Sequence, residues 1–330
     1  MPRGRLARMF DVSRRAAPSP GHGYAGCMYR SSLQEQAELV ALLRLKPGGK
    51  RWHELTDAVL EHGSPALAHE ALGAEGLFLS VDETVALEQA RRDVEAWRSQ
   101  GLEFWTILDD RYPAPLRDIH QAPPFLFARG SAVDGDVGVS VVGSREASEQ
   151  GLQMARAIAE ALVGIGVTVV AGLAAGIDTA AHVTALEGGG RTVAVIGTGI
   201  NRQYPAKNRE LQSVIAERGL LLSQFWPDAP PTKHSFPMRN AVMSGYGVAT
   251  IVVEAGEHSG ARIQARLAVE HGRPVILTDL VVARTEWAKA LEGRPGVHVA
   301  SSTAEAISVV EQLANQPAEV DKILSMLVNV

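Results

Sequence analysis

The chain has 330 residues, of which 46% are hydrophobic and 21% charged, and its formal net charge is −5. This composition is typical of a soluble globular protein, and the length allows one large domain and one small domain. The single cysteine excludes an internal disulfide framework and zinc sites built on paired cysteines. No stretch approaches the roughly 18 apolar residues of a membrane span, so the sequence predicts a cytoplasmic protein without membrane contact.

Residues 1–30 form a basic tail, in which six arginines stand against one acidic residue, Asp11. Such a tail can act as a basic arm for nucleic acid, or it can be an extension without function. Its prolines and glycines favour disorder. We expect residues 1–30 to be disordered.

Residues 31–100 show helical spacing of their apolar residues, which predicts a small domain of the SAM or helix-hairpin-helix type. Turns at 47–49 and 63–65 separate its helices, because glycine and proline end helices. A glycine-rich turn between short helices can grip a DNA backbone, although more often it only joins the helices. Residues 101–136, which are rich in proline, predict an irregular connecting segment.

A different pattern begins at residue 137, where short, wholly apolar runs alternate with helical stretches. This alternation predicts an extended Rossmann-like, doubly wound α/β domain over residues 137–300, with a mostly parallel sheet buried on both faces. Residues 301–330 predict a helical tail too short for a winged helix. The six predicted strands lie at 137–142, 167–170, 192–196, 219–222, 250–253 and 274–277.

The loops after these strands contain the unusual residues, and ligands of such sheets bind at the carboxyl ends of the strands. Ser144 and Arg145 follow the first strand, where a serine cap and an arginine at a helix entrance predict an anion site, or else a solvated turn. Glycines in these loops let backbone approach a ligand closely. The supporting glycines are Gly143, Gly176, Gly197, Gly199 and Gly260.

The third loop carries GTGINR, but a dinucleotide fingerprint needs glycine where Arg202 stands. The sequence also contains no phosphate loop of the GxxxxGK[ST] type. The first observation disfavours NAD binding and the second excludes Walker-type NTP hydrolysis, and we expect no cofactor and no metal.

The segment KHSFPMRN, residues 233–240, lies between the fourth strand and a helix predicted to begin near Met238. Phe236 could pack as a hydrophobic staple just before that helix. However, Lys233 and Arg239 flank the ring, and a ring between cations is typical of single-stranded nucleic acid sites, where phosphates need positive charge and bases stack.

These motifs in this order resemble the DprA/Smf family, the DNA-processing proteins of bacterial transformation. The resemblance covers about residues 35–278 and rests on GSR, AGLAAGID, GTGINRQYPAKN, FPMRN and VVEAGEHSGARIQARLA, preceded by DDRYPAPL and APPFLFARG. It implies a non-enzymatic protein of DNA uptake and recombination that binds and protects single-stranded DNA, forms a homodimer and helps to load RecA. The family usually has a second arginine where this chain has Ala241.

The resemblance also implies a role for individual residues. Arg145, Lys207 and Lys233 would contact phosphate, and Phe236 would stack on a base. Ser144, Gly172, Arg239 and Asn240 would complete the DNA pocket. The supporting residues, besides the glycines, are Tyr204, Glu254 and Ser259.

The alternative is a nucleotide sensor or an enzyme of the phosphoribohydrolase type, in which a glutamate acts beside the ribose. Glu254 follows a strand, but the PGGxGT pattern of such enzymes is missing. We expect Glu254 instead to brace Arg145 or Arg239. The single-stranded DNA interpretation requires that Arg145 and Phe236 lie close together.

Overall fold

The computed structural model describes residues 28–72 and 80–314. The prediction of a disordered tail therefore lies almost entirely outside the described residues. The same is true of most of the predicted C-terminal tail and of the expected lack of a winged helix. Of that tail, residues 303–314 are helical.

Four helices precede the sheet, and two of them begin with capping boxes. Ser32 Oγ accepts from the backbone N–H of Glu35 at 3.1 Å, and Glu35 accepts from the N–H of Ser32 at 2.8 Å. Ser80 and Glu83 repeat this arrangement, which satisfies two otherwise unpaired donors at each helix start. The helices are α1 (Leu33–Leu45), α2 (Trp52–His62), α3 (Pro65–Ala71) and α4 (Val81–Ser99).

One sheet of nine strands forms the centre of the described structure. Its order is β1-β2-β6-β5-β4-β3-β7-β8-β9, and all neighbours are parallel except the pairs β1–β2 and β2–β6. The predicted α/β class is confirmed. The strands are β1 (Glu103–Thr106), β2 (Phe125–Gly130), β3 (Gly138–Gly143), β4 (Thr168–Ala171), β5 (Thr192–Val195), β6 (Leu220–Ser223), β7 (Ala249–Glu254), β8 (Val275–Thr278) and β9 (Val297–Ala300).

The prediction of an irregular segment over residues 101–136 is wrong, because β1 and β2 lie within it. Phe104 pairs with Phe127 in this antiparallel hairpin, and β2 continues the sheet by pairing with β6. Trp97 of α4 packs edge-on against Phe127, with ring centroids 5.0 Å apart. The aromatic residues of these short strands thus join the N-terminal helices to the end of the sheet.

The remaining helices cover both faces of the sheet. Val141 and Val142, which are adjacent on β3, belong to two different apolar clusters, one on each face. Helices α5 and α6 contribute to one cluster, and α8 and α9 to the other, which explains why the central strands are mostly apolar and are buried on both faces. These helices are α5 (Glu149–Gly164), α6 (Ile177–Glu187), α7 (Arg209–Arg218), α8 (Ser235–Tyr246), α9 (Gly260–Glu270), α10 (Asp279–Arg284) and α11 (Glu286–Leu291).

The order of the parallel strands reverses between β3 and β7. The chain runs outward from β3 through β4 and β5 to β6, and then returns to place β7 on the other side of β3. The loops that follow β3 and β7 therefore lead in opposite directions and leave a crevice at the carboxyl end of the sheet, which is where such folds bind ligands.

None of the helices in residues 28–72 and 80–314 is long and apolar enough to cross a membrane.

Candidate functional site

A cavity of about 580 Å³ lies at this crevice, and we call it the strand-end cavity. The loop after β3, the loop after β7 and the first turns of α8 and α9 form its walls. Its polar lining consists of Ser144, Arg145, Glu146, Asp178, Arg239, Asn240, His258, Ser259 and Gln264, and its other lining residues are Val142, Gly143, Ala174, Phe236, Met243, Gly256, Gly260 and Ala261.

Arg145 and Phe236 meet at this cavity, as the sequence required. The Arg145 guanidinium carbon lies 5.3 Å from the centre of the Phe236 ring, which is within the range of a cation–π contact. Tyr204 extends the aromatic surface, since its ring centroid is 5.8 Å from that of Phe236. A Cβ atom on Gly197 would lie 2.7 Å from the Phe236 ring, so glycine allows the ring to rest on this loop.

Helix α8 begins at Ser235 rather than near Met238, so part of the predicted connector is helical. Phe236 therefore lies inside the first turn. A hydrophobic staple would require it to precede the helix, so Phe236 does not have that role. Pro237 lies in the same turn, where its missing N–H leaves no helical hydrogen bond unmade. The early start fixes the Phe236 side chain on a rigid element.

The three residues predicted to contact phosphate are all exposed cations, namely Arg145, Lys207 and Lys233. Among the described residues, none of the three forms an ion pair or a side-chain hydrogen bond. Arg145 lines the strand-end cavity, whereas Lys233 stands two residues before α8, and Lys207 lies in the short turn before α7. Their charges are thus available to a ligand.

Arg239 differs from these three because it is 5% exposed. Its Nη1 donates to the carbonyl of Gly172 and, at 3.0 Å, to that of Val195, and its Nε donates to Asn240 Oδ1 at 3.1 Å. Burial lowers the pKa of the guanidinium, while nearby Asp178 raises it. Arg239 lines the strand-end cavity as predicted, but most of its donors hold the ends of β4 and β5.

Two glycines make this packing possible. A Cβ on Gly172 would overlap Nη1 of Arg239, so a side chain at this position would displace the guanidinium. Gly176 has φ +76° and lies against the carbonyl of Ser144, a conformation and a closeness that favour glycine. The predicted supporting positions Gly143 and Gly199 also face close neighbours, Ile177 and the carbonyls of Trp226 and Pro227.

Two predictions about the loop after β3 need correction. Ser148, not Ser144, caps α5, and its Oγ accepts from the Gly151 N–H at 3.1 Å. Glu254 does not brace Arg145 or Arg239: it accepts from Ser148 Oγ at 2.5 Å and lies 3.5 Å from Arg284 Nη1. Glu254 therefore stabilises the start of α5, and it is not among the residues that line the strand-end cavity.

The start of α9 supplies an anion-binding wall. Ser259 caps this helix, and its Oγ accepts from the Ala261 N–H at 3.2 Å. Asn240 Nδ2 donates to the Gly260 carbonyl at 3.3 Å, which ties α8 to α9. The free amides of a helix start and its dipole attract negative charge, and this one opens into the cavity.

Asp178, in the first turn of α6, lines the cavity and was not among the predicted site residues. It is 6% exposed and accepts from the N–H of Gly172 at 2.9 Å and of Ala174 at 3.3 Å. Burial raises the pKa of Asp178, which Arg239 and these hydrogen bonds oppose. His258, next to the Ser259-Gly260 pair, also lines the cavity and was not predicted.

The strand-end cavity thus offers an exposed guanidinium, a helix start and a flat apolar ring. Its groups can hold an anion beside an aromatic or apolar ligand. No cluster of metal-binding side chains occurs within the residues that the structure describes.

The fold and this cavity define a doubly wound α/β protein with a polar cavity at its switch point. The family model "DNA recombination-mediator protein A" matches residues 103–318, so the chain belongs to that family. The DNA processing protein DprA of Streptococcus pneumoniae is 43% identical over 180 residues, which are 53% of this chain and 62% of that protein. The chain thus spans less than two-thirds of this relative's length.

Solved structures agree with the family. A structure of DprA from Streptococcus pneumoniae has a TM-score of 0.66 and 30% identity, and the match covers 85% of this chain and 98% of that one. A structure of DNA processing protein A from Helicobacter pylori, determined to explain its single-stranded DNA binding mode, has a TM-score of 0.57 and 22% identity, covering 64% and 96%. The second likeness concerns the fold alone.

Proposed function

We propose that the chain binds single-stranded DNA at the strand-end cavity. The observation that carries this proposal is the Arg145 guanidinium lying 5.3 Å from the Phe236 ring at the cavity that the switch point forms. A cation for phosphate and a ring for a base are the two groups that an unpaired strand needs. A relative of 43% identity, from Streptococcus pneumoniae, is a DNA processing protein, which supports DNA as the ligand.

The described side chains suit successive parts of a nucleotide strand. Arg145 and the amides at the start of α9 hold a phosphate, and Phe236, supported by Tyr204, offers its ring to a base. Lys233 and Lys207 extend the positive surface from the cavity along the rim of the sheet. A duplex would keep its bases stacked inside and so could not use the ring.

The finer features implied by the family resemblance belong to this proposal. We propose a cytoplasmic homodimer that acts in DNA uptake or recombination without catalysing a reaction, protects single strands and helps to load RecA. We also propose that residues 31–100 form a helical domain, that residues 101–136 connect it to the rest, and that residues 137–300 form the DNA-binding domain.

A salt-titrated comparison of oligonucleotides tests the main proposal. We expect oligo-dT to bind more tightly than a duplex of equal length, with an affinity that falls steeply as salt rises, because each neutralised phosphate releases counterions. Fluorescence anisotropy over a range of salt concentrations measures both quantities. Equal affinity for the two forms would contradict a site for unpaired strands.

Replacement of Phe236 by Ala separates stacking from charge. We expect oligo-dT affinity to fall by about 1–3 kcal/mol, the usual value of stacking one base, while the salt dependence stays unchanged because a ring neutralises no phosphate. Phe236→Leu is the matched control for packing, since it keeps apolar volume against Tyr204 but lacks the ring. It should lose a similar part of the affinity. If either variant also lost the salt dependence, Phe236 would act by shaping the loop.

The alternative function, hydrolysis of a nucleotide, predicts turnover that depends on Glu254. We expect no free base from nucleoside monophosphates incubated with the protein, because the Glu254 carboxylate is held by Ser148 and Arg284. Liquid chromatography of the products measures this. Release of base that disappears in Glu254→Gln would make the enzyme the better proposal.

A further inference from the structure

A second cavity of about 510 Å³ lies on the other side of α8. Phe236, Asn240 and Met243 of this helix face the strand-end cavity, whereas Met238 and Ala241 face the second one. Residues three and four apart share a helix face, so the two sets point in different directions. Helix α8 is therefore a partition between two cavities, and its first turn is exposed at Met238, which is 43% exposed.

The second cavity is lined by groups that suit a planar, electron-rich ligand. Trp52 and His53 of α2 contribute an indole and an imidazole, and His120 contributes a second imidazole. Arg266 of α9 contributes a guanidinium, which also lies 3.5 Å from the Glu270 carboxylate. None of the residues that line this cavity carries a carboxylate, although the chain as a whole is acidic. The cavity is therefore open to a ligand with negative charge close by.

Gln224 provides an independent observation that points to a ligand in the second cavity. This residue follows β6, lines the second cavity and is 5% exposed. Its buried Nε2 has no hydrogen-bond partner among the described residues. Buried amide groups are almost always paired, because an unpaired one costs about 1–3 kcal/mol. A ligand that offers a hydrogen-bonding edge would remove this cost.

We propose that the second cavity binds a further base of the same DNA strand that occupies the strand-end cavity, an inference that rests on the proposed function. The strand crosses the exposed first turn of α8 between Phe236 and Met238. A helix with its side chains is about 10 Å wide, so a few nucleotides cover the distance. The amide of Gln224 pairs with the edge of the base, and the rings of Trp52 and His120 lie beside its faces.

Two variants test the proposal by different means. Gln224→Leu removes the hydrogen-bonding group but fills the same space, and Ala241→Leu fills part of the cavity. We expect each to lower the affinity for an eight-residue oligo-dT by roughly two- to tenfold, the usual effect of one neutral hydrogen bond. Neither should change the affinity for a two-residue oligo-dT, which reaches the strand-end cavity alone. Gln153→Leu, at an exposed glutamine of α5 that lines neither cavity, is the matched control.

Photo-cross-linking of the unaltered protein locates the strand directly. An eight-residue oligonucleotide carrying 5-iodouracil at each position in turn should cross-link to peptides with Phe236 or Tyr204 and also to the peptide with Trp52. Cross-links restricted to Phe236 and Tyr204, or wild-type affinity in both variants, would overturn the second subsite and leave the proposed function intact. No binding of either oligonucleotide would overturn both.

Discussion

Simultaneous replacement of Arg145 and Lys233 by alanine is expected to abolish oligo-dT binding at moderate salt. Each side chain can make a charge-assisted hydrogen bond to phosphate, worth about 1.5–3 kcal/mol, so their joint loss weakens binding by more than about a hundredfold. The slope of log affinity against log salt should also fall by about 0.7 for each lost phosphate contact. Anisotropy titrations at several salt concentrations measure both effects.

The matched control for this pair is Arg156→Ala with Lys289→Ala. It changes the net charge equally, and both residues are exposed, on α5 and α11, where they line neither cavity. The control should retain nearly all of the affinity. The proposed DNA site would be contradicted if the double variant of Arg145 and Lys233 bound oligo-dT as tightly as the unaltered protein. This comparison requires that both proteins unfold at similar temperatures.

Replacement of Arg239 by methionine is expected to destabilise the fold by about 3–5 kcal/mol. The buried guanidinium supplies hydrogen bonds to the Gly172 and Val195 carbonyls, and it offsets the charge of Asp178. Removing this buried charge leaves the Gly172 and Val195 carbonyls without their donor and also takes away a charge that offsets that of Asp178, which accounts for the size of the effect. Urea unfolding at neutral pH measures the change in the free energy of unfolding.

Arg145→Met is the control for this prediction, because it makes the same chemical change at an exposed position of the same cavity. Its free energy of unfolding should change by no more than about 0.5 kcal/mol. The double replacement of Arg239 by Met and Asp178 by Asn should recover part of the loss, since it removes the unpaired carboxylate. A loss of under about 1 kcal/mol in Arg239→Met would show that the guanidinium serves the ligand rather than the strands.

The sequence by itself determined the sheet and the edge at which the site lies. Strands β3 and β7 were visible as mainly apolar runs at 137–142 and 250–253, because a strand covered by helices on both faces is buried along its whole length and is therefore mostly apolar. The meeting of Arg145 with Phe236 was also predictable. Both residues follow parallel strands, and the carboxyl ends of parallel strands meet at one edge.

The tertiary structure decided which partner each polar side chain has. Arg239 was predicted from its type to contact a ligand, but Gly172 leaves room for its guanidinium to turn inward onto two strand ends. Glu254 accepts a hydrogen bond from Ser148, which lies more than a hundred positions earlier in the chain. It does not pair with Arg145 or Arg239. A residue type sets which contacts are possible, whereas the approach of distant segments sets which of them form.

The same reason explains the missed hairpin and the missed second cavity. β1 has four residues among prolines and turns, and the pairing of Phe127 in β2 with Ser223 in β6 stabilises the hairpin across a long stretch of chain. The second cavity collects residues from α2, α8, α9 and two loops. The spacing of apolar residues predicts a helix or strand whose formation depends mainly on its own segment. It does not predict strands and cavities that are stabilised by contacts between segments far apart in the chain.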